Sequence, residues 1–171
     1  EETEPPHVDP TALADRNGMI ADALFRFAAV TDHDGATRYA ERALEYVLET
    51  LTDEGRVAHF EVERSEAGLL ADYARVLSGL TAAAQVTGPE GWIGPAQTIA
   101  DDAIESLVAA DGSFRDGIPG GPGLLDRPLY PLGTNAEMAD ALLDLESLTG
   151  EQEYGEAATD ALAAFAVAYD R

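Results

Sequence analysis

The stretch Leu148-Thr149-Gly150-Glu151-Gln152-Glu153-Tyr154-Gly155-Glu156-Ala157-Ala158 ends one apolar helix, turns at Thr-Gly, and opens another with an aromatic followed four residues later by alanine. The same phrase occurs twice upstream. Val30-Thr31-Asp32 leads to Tyr39 and Ala43, and Val86-Thr87-Gly88 leads to Trp92 and Ala96. Repetition of a helix–turn–helix unit is the signature of a helical array. The aromatics at 39, 92 and 154 are too widely spaced for tetratricopeptide or HEAT units. The pattern therefore predicts an all-α chain of tandem antiparallel helical hairpins, a toroid whose units carry long loops.

Apolar periodicity predicts six helices. The first covers about 15–30, with Ile20, Leu24, Phe27 and Ala28 inward. The second starts near Ala36 and buries Tyr39, Ala43, Val47 and Leu51. The third covers about 67–87 on a stripe of Leu69, Tyr73, Leu77, Leu80 and Ala84. The fourth covers about 91–109 on Trp92, Ala96, Ile99, Ala103 and Leu107. A capping box, Thr134-x-x-Glu137, opens the fifth, which buries Met138, Leu142 and Leu145; the sixth covers about 152–169 on Tyr154, Ala158, Leu162 and Phe165. A short β element is expected near 56–63, residues 1–12 read as an extended lead-in, and 13–171 as one three-hairpin domain. The turns at 31–35, 87–90 and 149–151 are short, whereas 52–66 and 110–133 are long. The long loops must share one end of the array with the N-termini of helices one, three and five, where free N–H groups favour anionic or hydroxylated ligands.

The chain carries 33 Asp and Glu against 10 basic residues, a formal charge of -23, and every basic residue is Arg. The acidic residues are spread over all the helices rather than blocked. Carboxylates hold water and cations at a surface, and near molar salt the Debye length falls to about 3 Å, screening their repulsion. This balance points to a halophilic cytoplasm. Nucleic-acid binding is excluded by the missing basic patch, and no apolar run is long enough to span a bilayer. Cysteine is absent, which removes disulfides and thiolate metal sites. The start at Glu1 suggests a piece of something longer.

Several strings resemble one family. Leu13-Ala14-Asp15-Arg16-Asn17-Gly18 is similar to its L-x-D-W-N-G segment, and Leu70-Ala71-Asp72-Tyr73-Ala74 to its L-D-D-Y-A. Arg127-Pro128-Leu129, with Asn135-Ala136 opening a helix that ends Leu148-Thr149-Gly150, resembles its closing hairpin. The family is that of large proteins with an N-terminal thioredoxin-like domain and a C-terminal six-hairpin (α/α)6 toroid, the spermatogenesis-associated protein 20/YyaL type. The resemblance runs from about Leu13 to Ala168. It implies a partial six-hairpin glycosidase-like toroid and a sugar-like small-molecule ligand, and the acidic, Lys-free composition makes it a haloarchaeal-type member. The partners it implies are the rest of the same polypeptide or a second copy. The chain departs from the pattern at Arg16, which replaces Trp, at Ala71, which replaces the first Asp of a pair, and at Leu132-Gly133-Thr134. The loss at Ala71 weakens a two-carboxylate mechanism.

No motif specifies a reaction, but candidate residues can be named. Asp72 interrupts an apolar helix and is the candidate catalytic acid or base, with Glu66 as the second carboxylate and Asp15 or Asp116 as alternatives; glycosidases space such pairs about 5–10 Å apart. The structural alternative is that Asp72 accepts hydrogen bonds from inner-helix N–H groups or from Arg75. Asn17 and Asn135 open inner helices and would bind ligand hydroxyls or act as N-caps. His59 is a candidate base, Asp15 a ligand contact, and Phe114 and Tyr130 long-loop residues free to touch a ligand. No metal or cofactor is expected: three scattered His make no zinc signature. Asp32-His33-Asp34 and Asp101-Asp102 lack calcium-loop spacing and read as solvated surface. The competing function is a non-catalytic helical scaffold for a thioredoxin-like domain.

Overall fold

The computed structural model describes residues 8–61, 68–118 and 127–169. Six helices make three hairpins: α1 Ala14–Thr31 with α2 Asp34–Thr50, α3 Leu70–Thr87 with α4 Ile93–Leu107, and α5 Leu132–Thr149 with α6 Gln152–Tyr169. The loop after α2 holds a two-stranded antiparallel ribbon, β1 Thr52–Asp53 and β2 Arg56–Val57. An isolated bridge joins Phe60 to Leu13.

The repeated phrase closes each hairpin in the same way. Thr31, Thr87 and Thr149 donate their hydroxyls to the carbonyl four residues back, at 2.7, 2.9 and 2.8 Å. The next residue takes positive φ: Asp32 at 53°, Gly88 at 105° and Gly150 at 78°. Its N–H then caps the carbonyl four residues back, at 2.8, 3.1 and 2.7 Å. Only Gly adopts such backbone freely, and Asp is among the few others that tolerate it. The sequence motif is thus a helix stop. At the first stop the Nδ1 of His33 accepts the Ala36 N–H at 3.0 Å and caps α2.

Packing orders the helices. α1 lies on α3 and α3 on α5, forming an inner row. α2 sits against α1 and α3, and α4 against α3 and α5, whereas α6 sits against α5. The result is an arc of three hairpins in which α1 and α6 form no packed pair. α3, flanked on both sides, is the most buried helix.

The inward stripes of α4 and α5 match expectation from Ala96 to Leu107 and for Met138, Leu142 and Leu145. Elsewhere the faces turn. On α1, Ile20 and Phe27 are exposed, and the buried face is Ala14, Gly18, Ala21, Phe25 and Ala28. Close approach explains the difference. A Cβ on Gly18 would lie 2.5 Å from the Arg75 carbonyl oxygen, so α1 meets α3 through small residues. Tyr39, Leu69 and Leu162 are likewise exposed rather than inward. The capping box of α5 does not form: the helix starts three residues earlier, after Pro131, and Glu137 pairs with Arg75 instead. The β element lies at 52–57, earlier than expected: of the expected 56–63, residues 58–61 hold only the isolated Phe60 bridge, and 62–63 fall outside the described residues.

Candidate functional site

The N-termini of α1, α3 and α5 meet at the long-loop end, where one buried network ties them together. Asp72, in the first turn of α3, is fully buried. Its Oδ1 accepts the Asp15 N–H at 3.1 Å, capping the start of α1, and its Oδ2 accepts the Leu69 N–H at 3.1 Å, capping the start of its own helix. The Nδ1 of His59, on the loop after β2, lies 2.9 Å from Oδ1 and 3.2 Å from Oδ2. His59 is itself fixed by its carbonyl, which accepts the Ala14 N–H at 2.9 Å. Next along α3, Arg75 donates to Asp15 Oδ2 at 2.8 Å and to Glu137 Oε2 at 3.0 Å. One arginine thus spans the three inner helices.

Burial pushes the Asp72 carboxyl above the usual carboxylate range, with the His59 hydrogen bond pulling the other way. The Arg75 guanidinium is held above its ordinary value, chiefly by the hydrogen bond to Glu137. Asp72 itself has no exposed surface, but the His59 side chain is 34% exposed. With the carboxylate of Asp72 on Nδ1, the imidazole carries its proton there and keeps Nε2 for acid–base work. The pair resembles the orienting half of a catalytic triad more than a glycosidase carboxylate pair.

Asp15, His59 and Asp72 each offer a ligand atom within 4.8 Å of the others. As a cation cage they fit poorly. Both Asp72 oxygens already accept hydrogen bonds, and Arg75 and Arg16 stand on Asp15 Oδ2 at 2.8 and 3.5 Å. Asp15 Oδ1 is buried with no partner among the described residues, a position that suits a buried water.

The remaining candidates divide. Asn17 does not cap a helix from outside; it lies within α1, and its Nδ2 donates to the Leu13 carbonyl at 2.8 Å. Asn135 is fully buried and spent on structure: Oδ1 accepts the Phe114 N–H at 2.7 Å, and Nδ2 donates to Phe114 O at 2.9 Å and Pro131 O at 3.0 Å. Phe114, expected to be free on the long loop, is fully buried, because the bridge to Val108 folds this stretch back onto α4. Tyr130 is exposed. Asp116 accepts the Leu129 N–H at 2.7 Å, and its carbonyl accepts the Leu70 N–H at 3.0 Å. Glu66 lies outside the described residues.

Asp101 and Asp102 are not mere solvated surface. Asp102 accepts from the hydroxyl of Tyr73, and Asp101 from that of Tyr154 at 3.0 Å. Both tyrosines are buried, and burial followed by the carboxylate contact raises their pKa above the ordinary value. Adjacent residues of α4 therefore bind α3 and α6. The only sequence signal for this was that buried tyrosines need a polar partner.

Comparison with solved structures identifies the architecture. A family 76 α-mannanase of Bacteroides thetaiotaomicron superposes with a TM-score of 0.78 at 17% identity, covering 95% of this chain and 46% of that one. A heparin-specific unsaturated glucuronyl hydrolase gives 0.76 at 17%, covering 95% of this chain and 48% of that one. The fold is part of an (α/α)6 toroid. An α-1,6-mannanase of Salegentibacter sp. HEL1_6 gives 0.78 at 16%, covering 90% and 46%. An inactive variant of that enzyme, with two consecutive aspartates replaced by asparagine, has been seen with α-1,6-mannotriose. This chain spans about half the length of these structures. No family model and no curated protein matches it.

Proposed function

We propose that the long-loop end binds a sugar-like small molecule and that His59, oriented by Asp72, moves a proton there. The carrying observation is the dyad itself. A buried carboxylate holds a partly exposed imidazole, at 2.9 Å, where three inner-helix N-termini converge. Two-carboxylate hydrolysis is disfavoured, since Ala71 stands where the resembling family has the first Asp and the other close carboxylate, Asp15, is buried under Arg75. The chemistry that suits a lone oriented imidazole is proton abstraction and return, as in epimerisation or isomerisation. The carbohydrate-processing neighbours and the local strings shared with thioredoxin-domain toroid proteins support a C-terminal toroid portion as its setting, and the acid-rich, Lys-free surface supports a halophilic one.

The test follows the His59 ring resonances by NMR while mono- and oligosaccharides are added. Binding moves His59 and leaves His33, at the short-turn end, in place. Unmoved His59 signals through tens of millimolar sugar would overturn the reading. One observation favours a second reading, a non-catalytic scaffold: Asp72 and Asn135 are fully buried and hydrogen-bonded within the chain.

A further inference from the structure

Arg75 stands one helical turn along α3 from Asp72, with its charge on a different carboxylate. Asp72 and Arg75 lie three residues apart on α3, and Asp15 and Gly18 three apart on α1, so each pair shares one face of its helix. The two helices touch at this level: a Cβ on Gly18 would lie 2.5 Å from the Arg75 carbonyl oxygen. From there the guanidinium sends Nη1 to Asp15 Oδ2 at 2.8 Å and Nε to Glu137 Oε2 at 3.0 Å. Among the described residues it makes no ion pair with Asp72. Asp15 is buried, as Asp72 is, and one of its carboxylate oxygens lies within 4.8 Å of a His59 ring nitrogen. The imidazole therefore has two carboxylates at hand: Asp72, which holds Nδ1, and Asp15, which is drawn to a cation.

That pairing bears on the charge of His59. An opposite charge within about 4–6 Å favours the charged form of a titratable group, so two uncompensated carboxylates would hold the ring as imidazolium. An imidazolium carries a proton on both nitrogens and cannot accept one at Nε2. We propose that Arg75 is a positioning residue for the dyad: by taking Asp15 into an ion pair it leaves His59 answering to Asp72 alone, neutral and open to a proton at Nε2. Arg16 adds a weaker contact to Asp15, at 3.5 Å from a side chain 58% exposed, where solvent screens it. Glu137, 45% exposed on α5, competes for the same guanidinium and limits how much of its charge Asp15 receives. Only a forked cation serves both carboxylates at once. Asp116, on the loop leading into α5, is spent on the Leu129 N–H. This role rests on the reading of His59 as the group that moves a proton. Its own content is electrostatic: α5 is tied, through Glu137, Arg75 and Asp15, to the protonation of a ring that α1 and α3 hold in place.

Titration of the His59 ring followed by NMR tests the link, with His33 at the short-turn end as internal control and circular dichroism as the check on folding. Arg75→Gln uncovers the Asp15 charge and should raise the His59 midpoint by about one pH unit. Asp15→Asn should lower it. In the Asp15→Asn background Arg75→Gln should act no more than about a third as strongly, because the carboxylate it works through is gone. Arg75→Lys keeps a cation on Asp15 and should hold the midpoint near the wild-type value. Should Arg75→Gln not fold, Glu137→Gln gives the opposite sign: it leaves the guanidinium to Asp15 and lowers the midpoint, and it does so chiefly where Asp15 is present. An unmoved midpoint in Arg75→Gln, a rise in Asp15→Asn, or an equal Arg75→Gln effect in both backgrounds overturns the proposal. Sugar that leaves His59 unmoved while this cycle holds counts against the proton-transfer reading, not against the link.

Discussion

Replacing Asn135 separates a structural anchor from a ligand contact. The side chain is fully buried and makes three hydrogen bonds, two of them to the N–H and C=O of Phe114, itself fully buried. Asn135→Ala leaves both backbone groups of Phe114 unpartnered away from water. At about 1–3 kcal/mol for each buried unsatisfied group, the expected loss is about 2–6 kcal/mol. For a domain of this size 1 kcal/mol lowers Tm by about 2–4 °C, so the midpoint should fall by roughly 5–20 °C. Asn135→Asp keeps the shape but sets a carboxylate oxygen against the carbonyls of Phe114 and Pro131. Its folded-state pKa is therefore raised above the unfolded value. Protonation supplies the missing donor, so stability is recovered as pH falls through that raised pKa and is lost again as pH rises. Urea unfolding followed by circular dichroism at pH 7 and at pH 5 reads both effects. A loss under about 0.5 kcal/mol for Asn135→Ala would refute the anchoring argument, and a pH-independent Asn135→Asp would refute the assigned amide orientation.

Gly18→Ala should destabilise despite the better helix former: overpacking against the Arg75 and Val76 backbone, 2.5 and 2.7 Å from the new Cβ, costs about 1–3 kcal/mol or more, against a gain of about 1 kcal/mol in propensity. A raised Tm would show that α1 and α3 separate freely. Because burial raises the Asp72 pKa in the folded state, its contribution is fully present below the unfolded carboxylate pKa and is lost as pH rises through the folded value. Wild type should therefore gain stability relative to Asp72→Asn as pH falls from 7 through that value, and urea melts of both proteins giving parallel pH curves would contradict the burial. The charge of -23 predicts a thermal midpoint that climbs from low salt to molar KCl or NaCl, since each exposed like-charge pair costs a few tenths of a kcal/mol that salt screens; a flat or falling midpoint would remove the halophilic reading.

Local features of this chain were legible wherever one residue's backbone chemistry decides the outcome. Thr31-Asp32, Thr87-Gly88 and Thr149-Gly150 stop their helices through a hydroxyl, a positive φ and a single N–H, all supplied within five residues. That is why the hairpin count, the short-turn ends and the placing of Asp15, His59 and Asp72 at the opposite end could be read from the order of residues. The prominence of Asp72 was legible for the same reason, a carboxylate among leucines being costly to bury without partners.

What a helix buries, and against what, was decided by the tertiary structure. Hydrophobicity marks Ile20 and Phe27 for the core of α1, yet the close approach of α1 to α3 at Gly18 sets the rotation of the helix so that Ala21 and Phe25 are buried while Ile20 and Phe27 are exposed. Phe114 and Asn135 exchange backbone for amide across 21 residues, and Asp101 and Asp102 reach tyrosines 53 and 29 residues away. The sequence by itself determined where helices end and which groups must find partners, because those are properties of a residue and its near neighbours. Which partner answers depends on the separation and rotation of packed helices, which are set by every contact along them at once.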